Sequence, residues 1–259
     1  MNQLQLSISI IGSGNLAWHL AKQLYKCGFS IKSIFSRNIR NANLLANQVA
    51  AKAVDNLHEI PLSDMCIFSI KDDAYTSVLS SLPATNAICV HTSGSLSMDI
   101  FSEISPNYGV LYPFQTFSKA KELNFNEIPL CVEASNEHTE QILLQLAKSL
   151  STVNYRITSQ QRASLHLAGV FACNFPNALY AIVEQILKEQ QLDFSIVFPV
   201  IKETVEKLQY LSPVEAQTGP AVRNDVQIME KHIEMLSDAD YKDIYQILSK
   251  IIQKQNTIK

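Results

Sequence analysis

The sequence predicts an α/β fold, a doubly wound parallel sheet, followed by an all-α C-terminal domain. Three observations predict it. Residues 6–27 read as strand, glycine-rich turn and helix. Strand and helix patterns then alternate to about residue 155, the order that builds a parallel sheet covered by helices. From residue 158 onward the apolar spacing is helical and no convincing strand appears. The expected domains are 1–156 and 157–259.

The first strand is the run Ser7-Ile8-Ser9-Ile10-Ile11, and the helix behind the turn repeats Leu16, Leu20 and Leu24. Between them stands Gly12-Ser13-Gly14-Asn15-Leu16-Ala17. Gly12 permits the tight turn, Gly14 lets backbone approach a pyrophosphate, and Ala17 keeps the helix close to the sheet. The helix N-terminus adds unpaired N–H groups and a favourable dipole. With a strand before it and an amphipathic helix after it, this is the dinucleotide-binding arrangement of a Rossmann domain. Gly12, Ser13, Gly14, Asn15 and Leu16 are its expected cofactor contacts.

Ser30–Phe35 is the second strand and ends at Ser36-Arg37-Asn38. NAD-binding domains usually carry an acid about 20 residues past the glycines, for the ribose hydroxyls. None stands here. A hydroxyl at Ser36 and a guanidinium at Arg37 suit a 2′-phosphate. The expected cofactor is therefore NADP(H), with Ser36, Arg37 and Asn38 at its ribose. Arg37 as a solvated loop charge is the competing reading. A helix at 39–50, a strand at Lys52–Val54, a strand at 65–70 and a helix from Ala74 follow. Strands at 87–91, 110–112 and 129–133, a helix at Glu137–Leu150 and a strand at 152–156 complete the alternation.

Ligands in such folds bind at the carboxyl ends of the strands. After the fourth strand, Ile70, Lys71 and Asp72 are expected to line the cleft, while Asp73 suits a helix cap. After the fifth comes His91-Thr92-Ser93-Gly94-Ser95. Thr92, Ser93 and Gly94 either offer donors to a nicotinamide amide or to substrate, or form a plain turn. Ser97 and Asp99 suit capping. His91 is either a general acid with a near-neutral pKa or a satisfied core histidine. Tyr112-Pro113-Phe114-Gln115-Thr116-Phe117 reads as a substrate-facing loop or as a packed loop between domains.

Residues 165–187 hold His166, Asn174, Pro176, Asn177, Glu184 and Gln185 in an apolar stretch, which reads as a buried core helix and not a membrane span. Pro176 should kink it near Ala172. His166 and Asn174, if buried, need partners. They either line a cleft or, for the asparagine, satisfy backbone freed by the kink. Helical patterns at 194–208, 220–236 and 239–252 follow, with Val222, Val226, Met229, Ile233 and Leu236 as a packing seam. Pro220 suits a first helical turn. Arg223 near a helix start gains nothing from the dipole. It is expected to bind an anionic group, with Asp225 beside it; a local salt bridge is the alternative. His232 stands too far along the helix to pair directly with Asp225.

Composition agrees with a soluble α/β enzyme. Charged residues are 17% and net charge is −3 without a basic block, which argues against a nucleic-acid partner. Cys27, Cys66, Cys89, Cys131 and Cys173 stand singly, with no metal-ligand spacing and no C-x-x-C. Reduced thiols, no metal and a cytoplasmic protein are expected. No signal-peptide pattern is evident at the N-terminus.

Five segments carry a resemblance over nearly the whole chain: Gly12 to Ala17, His91-Thr92-Ser93-Gly94, Pro113-Phe114-Gln115-Thr116-Phe117, His166 through Asn174-Phe175, and Thr218-Gly219-Pro220-Ala221-Val222-Arg223-Asn224-Asp225. In this order they resemble a little-characterised family of Rossmann-like proteins grouped with NADP oxidoreductases. That family is similar to deazaflavin-dependent NADP oxidoreductases and to pyrroline-carboxylate reductase. The resemblance implies an NADP-binding domain and a C-terminal helical domain like that of phosphogluconate dehydrogenase. It implies no particular substrate. The chain departs from the family at Tyr112, where many relatives carry histidine, so a mechanism needing histidine there does not carry over.

The sequence thus points to an NADP(H)-dependent oxidoreductase for a small carbonyl or imine substrate with an anionic group. His166 is the expected acid–base residue, Asn174 orients and Arg223 binds the anion, with His91 and Asp225 in the same cleft. A homodimer through the C-terminal helices is expected, without a membrane partner. The alternative is an NADP(H)-binding sensor or assembly protein without turnover.

Overall fold

The computed structural model describes residues 5–257. The chain divides into two compact units, one ending at Cys173 and one beginning at Asn174.

The first unit opens with β1 (Ser7–Ile11), α1 (Asn15–Lys26), β2 (Ser30–Phe35), α2 (Ile39–Ala46) and β3 (Lys52–Val54). It continues with β4 (Met65–Phe68), α3 (Tyr75–Leu79), β5 (Ile88–His91) and β6 (Tyr108–Pro113). β7 (Leu130–Ala134), α4 (Glu137–Leu150), β8 (Asn154–Arg156) and α5 (Ser159–Gly169) complete it. The eight strands form one sheet in the order β3-β2-β1-β4-β5-β6-β7-β8. From the β3 edge the chain returns to set β4 beside β1. That reversal opens a crevice at the carboxyl ends of β1 and β4, where this topology places its ligands.

The sheet is not wholly parallel: β6 and β7 run antiparallel. A parallel neighbour needs a crossover, usually a helix. Between β6 and β7 the chain forms only a loop and the 3-10 turn Phe125–Glu127. Elsewhere the apolar runs behave as expected of strands covered on both faces. Ile8, Ile10, Ile34, Ile67 and Val90 are fully buried, with Leu20 and Leu24 of α1 packed in the same core. Two serines in this core satisfy each other, Ser33 Oγ donating to Ser9 Oγ at 3.1 Å.

Local signals set the helix ends. Asn38 and Asn136 cap α2 and α4 by accepting from the Arg40 and Thr139 amides. Ser97 accepts from the Asp99 amide, as its position predicts. α2 stops earlier than residue 50, and Ala50 stands in the left-handed region at φ 51°. The helix expected from Ala74 begins as a 3-10 turn, and no side chain caps it or α3, so Asp73 is not a cap.

Helical backbone runs from Ser159 to Glu189, long and apolar enough to cross a membrane by length and composition. A π-helical segment at Val170–Asn174 interrupts it, just before Pro176 in the first turn of α6 (Phe175–Glu189). The π segment includes Ala172, the position at which a kink is expected. The proline ring lacks an N–H and crowds the carbonyl four residues back. The expectation of burial fails, however: no residue of α6 is buried.

The second unit continues with α7 (Phe198–Glu206), α8 (Pro213–Ala216), α9 (Val226–Met235) and α10 (Ala239–Thr257). Tyr241 Oη donates to Gln185 Oε1 at 2.8 Å, tying α10 to α6. His232 Nδ1 meets Tyr245 Oη at 2.9 Å, tying α9 to α10. The helix expected over 220–236 begins only at Val226. Asn224, at φ 53°, is left-handed and breaks any helix running through it. Val222 therefore falls outside the seam assigned to it. Among the described residues of this unit, Ala221 alone belongs to the buried apolar set. Ile244, Ile247, Leu248 and Ile251 form an exposed stripe along α10.

Candidate functional site

A cleft of about 510 Å³ lies over the crevice in the first unit. Its floor begins where β1 ends. Gly12 donates its amide to the Phe35 carbonyl at 2.8 Å, and the Ser69 amide reaches Ile11 O at 2.8 Å. Gly12 has φ 126°, and a Cβ there would collide with the Ser69 carbonyl. The turn therefore requires glycine on both counts. Gly14 differs: a Cβ would meet nothing within 4 Å. It faces open space, as a residue does where backbone must receive a ligand. No side chain caps α1, and its first turn holds no acid. The donors at this helix start are thus free of an internal anion.

The cleft gathers Gly12, Ser13, Gly14, Asn15, Leu16, Ser36, Arg37, Ile70, Lys71, Asp72, Thr92, Ser93 and Gly94. Ser13 Oγ donates to Ser36 Oγ at 2.9 Å, joining the two strand ends. Arg37 is exposed at the mouth. Asp72 is the one carboxylate in the lining. It accepts from Ser93 Oγ at 3.1 Å and from Ser95 Oγ, which holds the hydroxyl-rich turn in place. Asp72 aside, the cleft lining holds no acid to oppose a 2′-phosphate at Ser36 and Arg37. These residues fit an NADP(H) molecule. Asn38 is the exception among the expected contacts; it lies outside the lining and its side chain caps α2.

Tyr112, Gln115 and His166 line the same cleft. Tyr112 Oη and His166 Nδ1 stand 3.1 Å apart. The phenol is mostly buried, and burial pushes its pKa up to about 12, so it stays protonated. The His166 ring lies against Gly94, where a Cβ would come within 2.6 Å of Nδ1. His166 itself is exposed, so the premise that a buried polar group called for a partner does not hold for it.

His91 is fully buried and does not line the cleft. Its Nδ1 accepts from the Ser93 amide at 3.1 Å, while Tyr75 and Phe101 pack around the ring. Burial first, and the Arg162 charge second, lower its pKa to about 4. A neutral ring sealed from the cleft cannot act there as a general acid, which corrects that expectation. Its part is to hold the turn.

Sequence reasoning missed Arg162, of which 1% of the side chain is exposed. It donates to Leu96 O at 2.7 Å, to Ser93 O at 3.2 Å and to Glu133 Oε2 at 3.0 Å. One buried guanidinium thus ties α5, β7 and the turn after β5 together. Nothing in its local sequence marks it; the signal was Glu133 at a strand end, a charge that needs a partner.

Three expected site residues belong to the second unit. Asn174 is exposed and directly precedes α6 without capping it, so no buried amide demands a partner there. Arg223 is exposed in the 220–225 turn, not in a helical first turn, and no salt bridge to it occurs among the described residues. Asp225 caps α9 by accepting from the Ile228 amide at 3.4 Å, a structural use of its carboxylate.

Residues 7–92 match the family described as NADP oxidoreductase coenzyme F420-dependent, and residues 128–252 match a domain of unknown function, DUF2520. The chain is similar to the crystal structure of "putative NADP oxidoreductase BF3122 from Bacteroides fragilis". Identity is 41%, coverage 96% of this chain and 98% of that one, and the TM-score 0.93. It shares its fold with a reductive aminase from Aspergillus terreus solved with NADPH and ethyl-5-oxohexanoate (13% identity, 97% and 93% coverage, TM-score 0.71). The same holds for 1-pyrroline-5-carboxylate reductase from Streptococcus pyogenes (16% identity, 98% and 99% coverage, TM-score 0.61). No curated protein matches the chain.

Proposed function

We propose, for a chain that belongs to the NADP oxidoreductase family of the Bacteroides fragilis protein, the reversible reduction of a small carbonyl or imine compound carrying an anionic group. The observation that carries this reading is the Tyr112–His166 pair in the same cleft as the glycine turn. The bound nicotinamide supplies the two electrons and one hydrogen of the reduction. The residues supply the proton and the geometry. Charged His166 donates Nδ1–H to Tyr112 Oη, which frees the phenolic hydrogen for the substrate oxygen or nitrogen. As that O–H bond breaks, the phenol regains a proton from Nδ1 and leaves His166 neutral.

The turn from Gly12 to Leu16 holds the diphosphate, and Ser36 and Arg37 hold the 2′-phosphate. Ile70, Lys71, Asp72, Thr92, Ser93 and Gly94 shape the nicotinamide half, Asp72 through Ser93 and Ser95. Within the helical part, Arg223 is the residue suited to an anionic group and Asn174 the one suited to orientation. Residues 1–156 act as the nucleotide domain; within 157–259, α5 adds His166 to the same cleft, and the helices after Cys173 act as the substrate and dimerisation part. The exposed stripe on α10 supports a homodimer, and the thiols of Cys66, Cys89, Cys131 and Cys173 support a cytoplasmic protein.

The test begins with calorimetric titration by NADPH and NADH. NADPH should bind more tightly, and Arg37→Ala should remove the preference; an unchanged NADPH affinity in that variant defeats the 2′-phosphate reading. Next, loss of reduced-nicotinamide absorbance is followed with 2-oxo acids, with and without ammonium, and with 1-pyrroline-5-carboxylate. His166→Ala and Tyr112→Phe should each lower kcat by about 10²–10⁴ while sparing NADPH affinity. Full turnover in both variants refutes the proton path.

A further inference from the structure

The loop leaving β6 turns back across the start of α1 and is fastened there three times. Asn15 Nδ2 donates to Phe117 O at 3.0 Å, and His19 Nε2 meets Ser118 O at 2.9 Å. Lys119 Nζ donates to Ser13 O at 2.9 Å. The Lys119 ammonium also stands over the Trp18 ring, 5.1 Å from its centre. Both ends of the glycine turn, Ser13 and Asn15, are therefore in contact with this loop. A charge from a distant part of the chain is delivered to the turn itself.

That turn needs one. Residues 13–17 contain no cation, and a helix N-terminus contributes only about half an elementary charge. A dinucleotide's diphosphate brings two negative charges to the same place. An ammonium has three donors on a flexible stem. Lys119 can keep its bond to the Ser13 carbonyl and turn a second N–H to a phosphate oxygen. Its exposure leaves the ammonium free to do so.

We propose that Lys119 is a ligand of the cofactor's diphosphate, supplied to the glycine turn by the loop between β6 and β7. The inference rests on the reading of that turn as the nucleotide site, and on nothing about substrate or proton transfer. The cleft lining itself holds the cations Arg37 and Lys71, and Lys119 reaches the turn from outside that lining. Arg37, past the end of β2, serves the 2′-phosphate, and Lys119 serves the group common to NADPH and NADH.

The full chain is titrated with NADPH, NADH, ADP-ribose and 2′-AMP, with unfolding midpoints recorded to show that each variant is folded. Lys119→Ala should weaken NADPH, NADH and ADP-ribose by about tenfold or more, as loss of a charged hydrogen bond does, and leave 2′-AMP unchanged. Arg37→Ala should do the reverse, weakening NADPH and 2′-AMP and sparing the other two. Lys119→Arg should recover most of the affinity and Lys119→Gln little of it. Wild-type affinity should fall more steeply with added salt than that of Lys119→Ala. Unchanged NADH and ADP-ribose affinities in Lys119→Ala overturn the proposal, as does full affinity in Lys119→Gln, which would leave the loop a steric role only. Gly14→Val separates the two layers of the argument. If it abolishes NADPH binding while Lys119→Ala does nothing, only Lys119 is misassigned. If it binds NADPH as the wild type does, the turn is not the site and both readings fall.

Discussion

Both units carry amphipathic helices, yet only one covers them. Leu20 and Leu24 of α1, and Leu143 and Leu146 of α4, have no exposed surface. In the second unit Met235 is 79% exposed and Ile247 56%. A sheet offers two broad apolar faces, so each helix laid on it is covered by its own chain. Five helices without a sheet cannot cover one another so fully. Helical periodicity thus announces an apolar face without saying which chain will cover it. The second unit's helices are accordingly where a second copy should matter, and the first unit's core should depend on its own contacts.

The largest expected effect lies inside the first unit. Arg162→Met leaves Glu133, 12% exposed, without its counter-charge. Breaking a buried pair this way costs about 3–5 kcal/mol. Arg156 makes a similar contact to Glu140 at 3.2 Å, but its side chain is 64% exposed. Arg156→Met should cost less than about 1 kcal/mol. Urea unfolding compares the two, and equal losses would show that the Arg162 network is not what secures the turn after β5.

His91 gives that unit a pH dependence. The unfolded ring takes up a proton near its ordinary value of 6.5, and the folded ring resists until about 4. Between those values the unfolded chain binds more protons, so stability falls as pH drops through that window. The full loss is about 3 kcal/mol. His91→Asn keeps an acceptor for the Ser93 amide and should flatten the profile between pH 6.5 and 4. A variant with the same slope as the wild type would place the acid sensitivity elsewhere.

In the second unit a single charge tests the exposed helix face. Ile247→Asp puts a carboxylate in the middle of the α10 stripe. If a second copy covers that stripe, the dimer should weaken by about 2 kcal/mol or more, as at an interface hot spot. Sedimentation over a concentration series reads it directly. A wild-type chain that is monomeric at every concentration would leave the helical unit exposed as it stands, and would defeat the proposed homodimer.

What the sequence disclosed follows the same divide between local and long-range. The turn from Gly12 to Ala17, the Ser36-Arg37 strand end and the His91-to-Gly94 turn are written in short spacings, and all three reach the crevice or its rim. Tyr112 and His166 lie 54 residues apart, and no periodicity in either segment announces their contact. Arg162 looks like any polar residue near a helix start until tertiary packing seals it. Pro220 is well suited to a first helical turn, but the left-handed Asn224 overrides that preference. The buried reading of 165–187 was a statement about hydropathy, and burial is decided by neighbours. Sheet direction was misjudged at β7 because alternation alone does not reveal whether a connection contains a helix.

The smallest effect tests whether identical local chemistry is worth the same in both units. Thr158 and Gln161 form a capping box at the start of α5, the Thr158 amide donating to Gln161 Oε1 at 2.9 Å. Ser212 and Glu215 form the same box at α8, with the Ser212 amide donating to Glu215 Oε2 at 3.0 Å. An N-cap removed by alanine costs about 1 kcal/mol where the helix is part of the cooperative fold. α5 is an 11-residue helix carrying Arg162 into the first unit's network, so Thr158→Ala should register that cost in global unfolding. α8 has four residues and none of them is buried. A segment of that kind opens locally without unfolding the rest. Ser212→Ala should therefore leave the global transition almost unmoved and speed hydrogen exchange only around 213–216. Equal global losses from the two alanines would mean that α8 is held far more firmly than its exposure indicates, which is the outcome expected if a second copy closes over it.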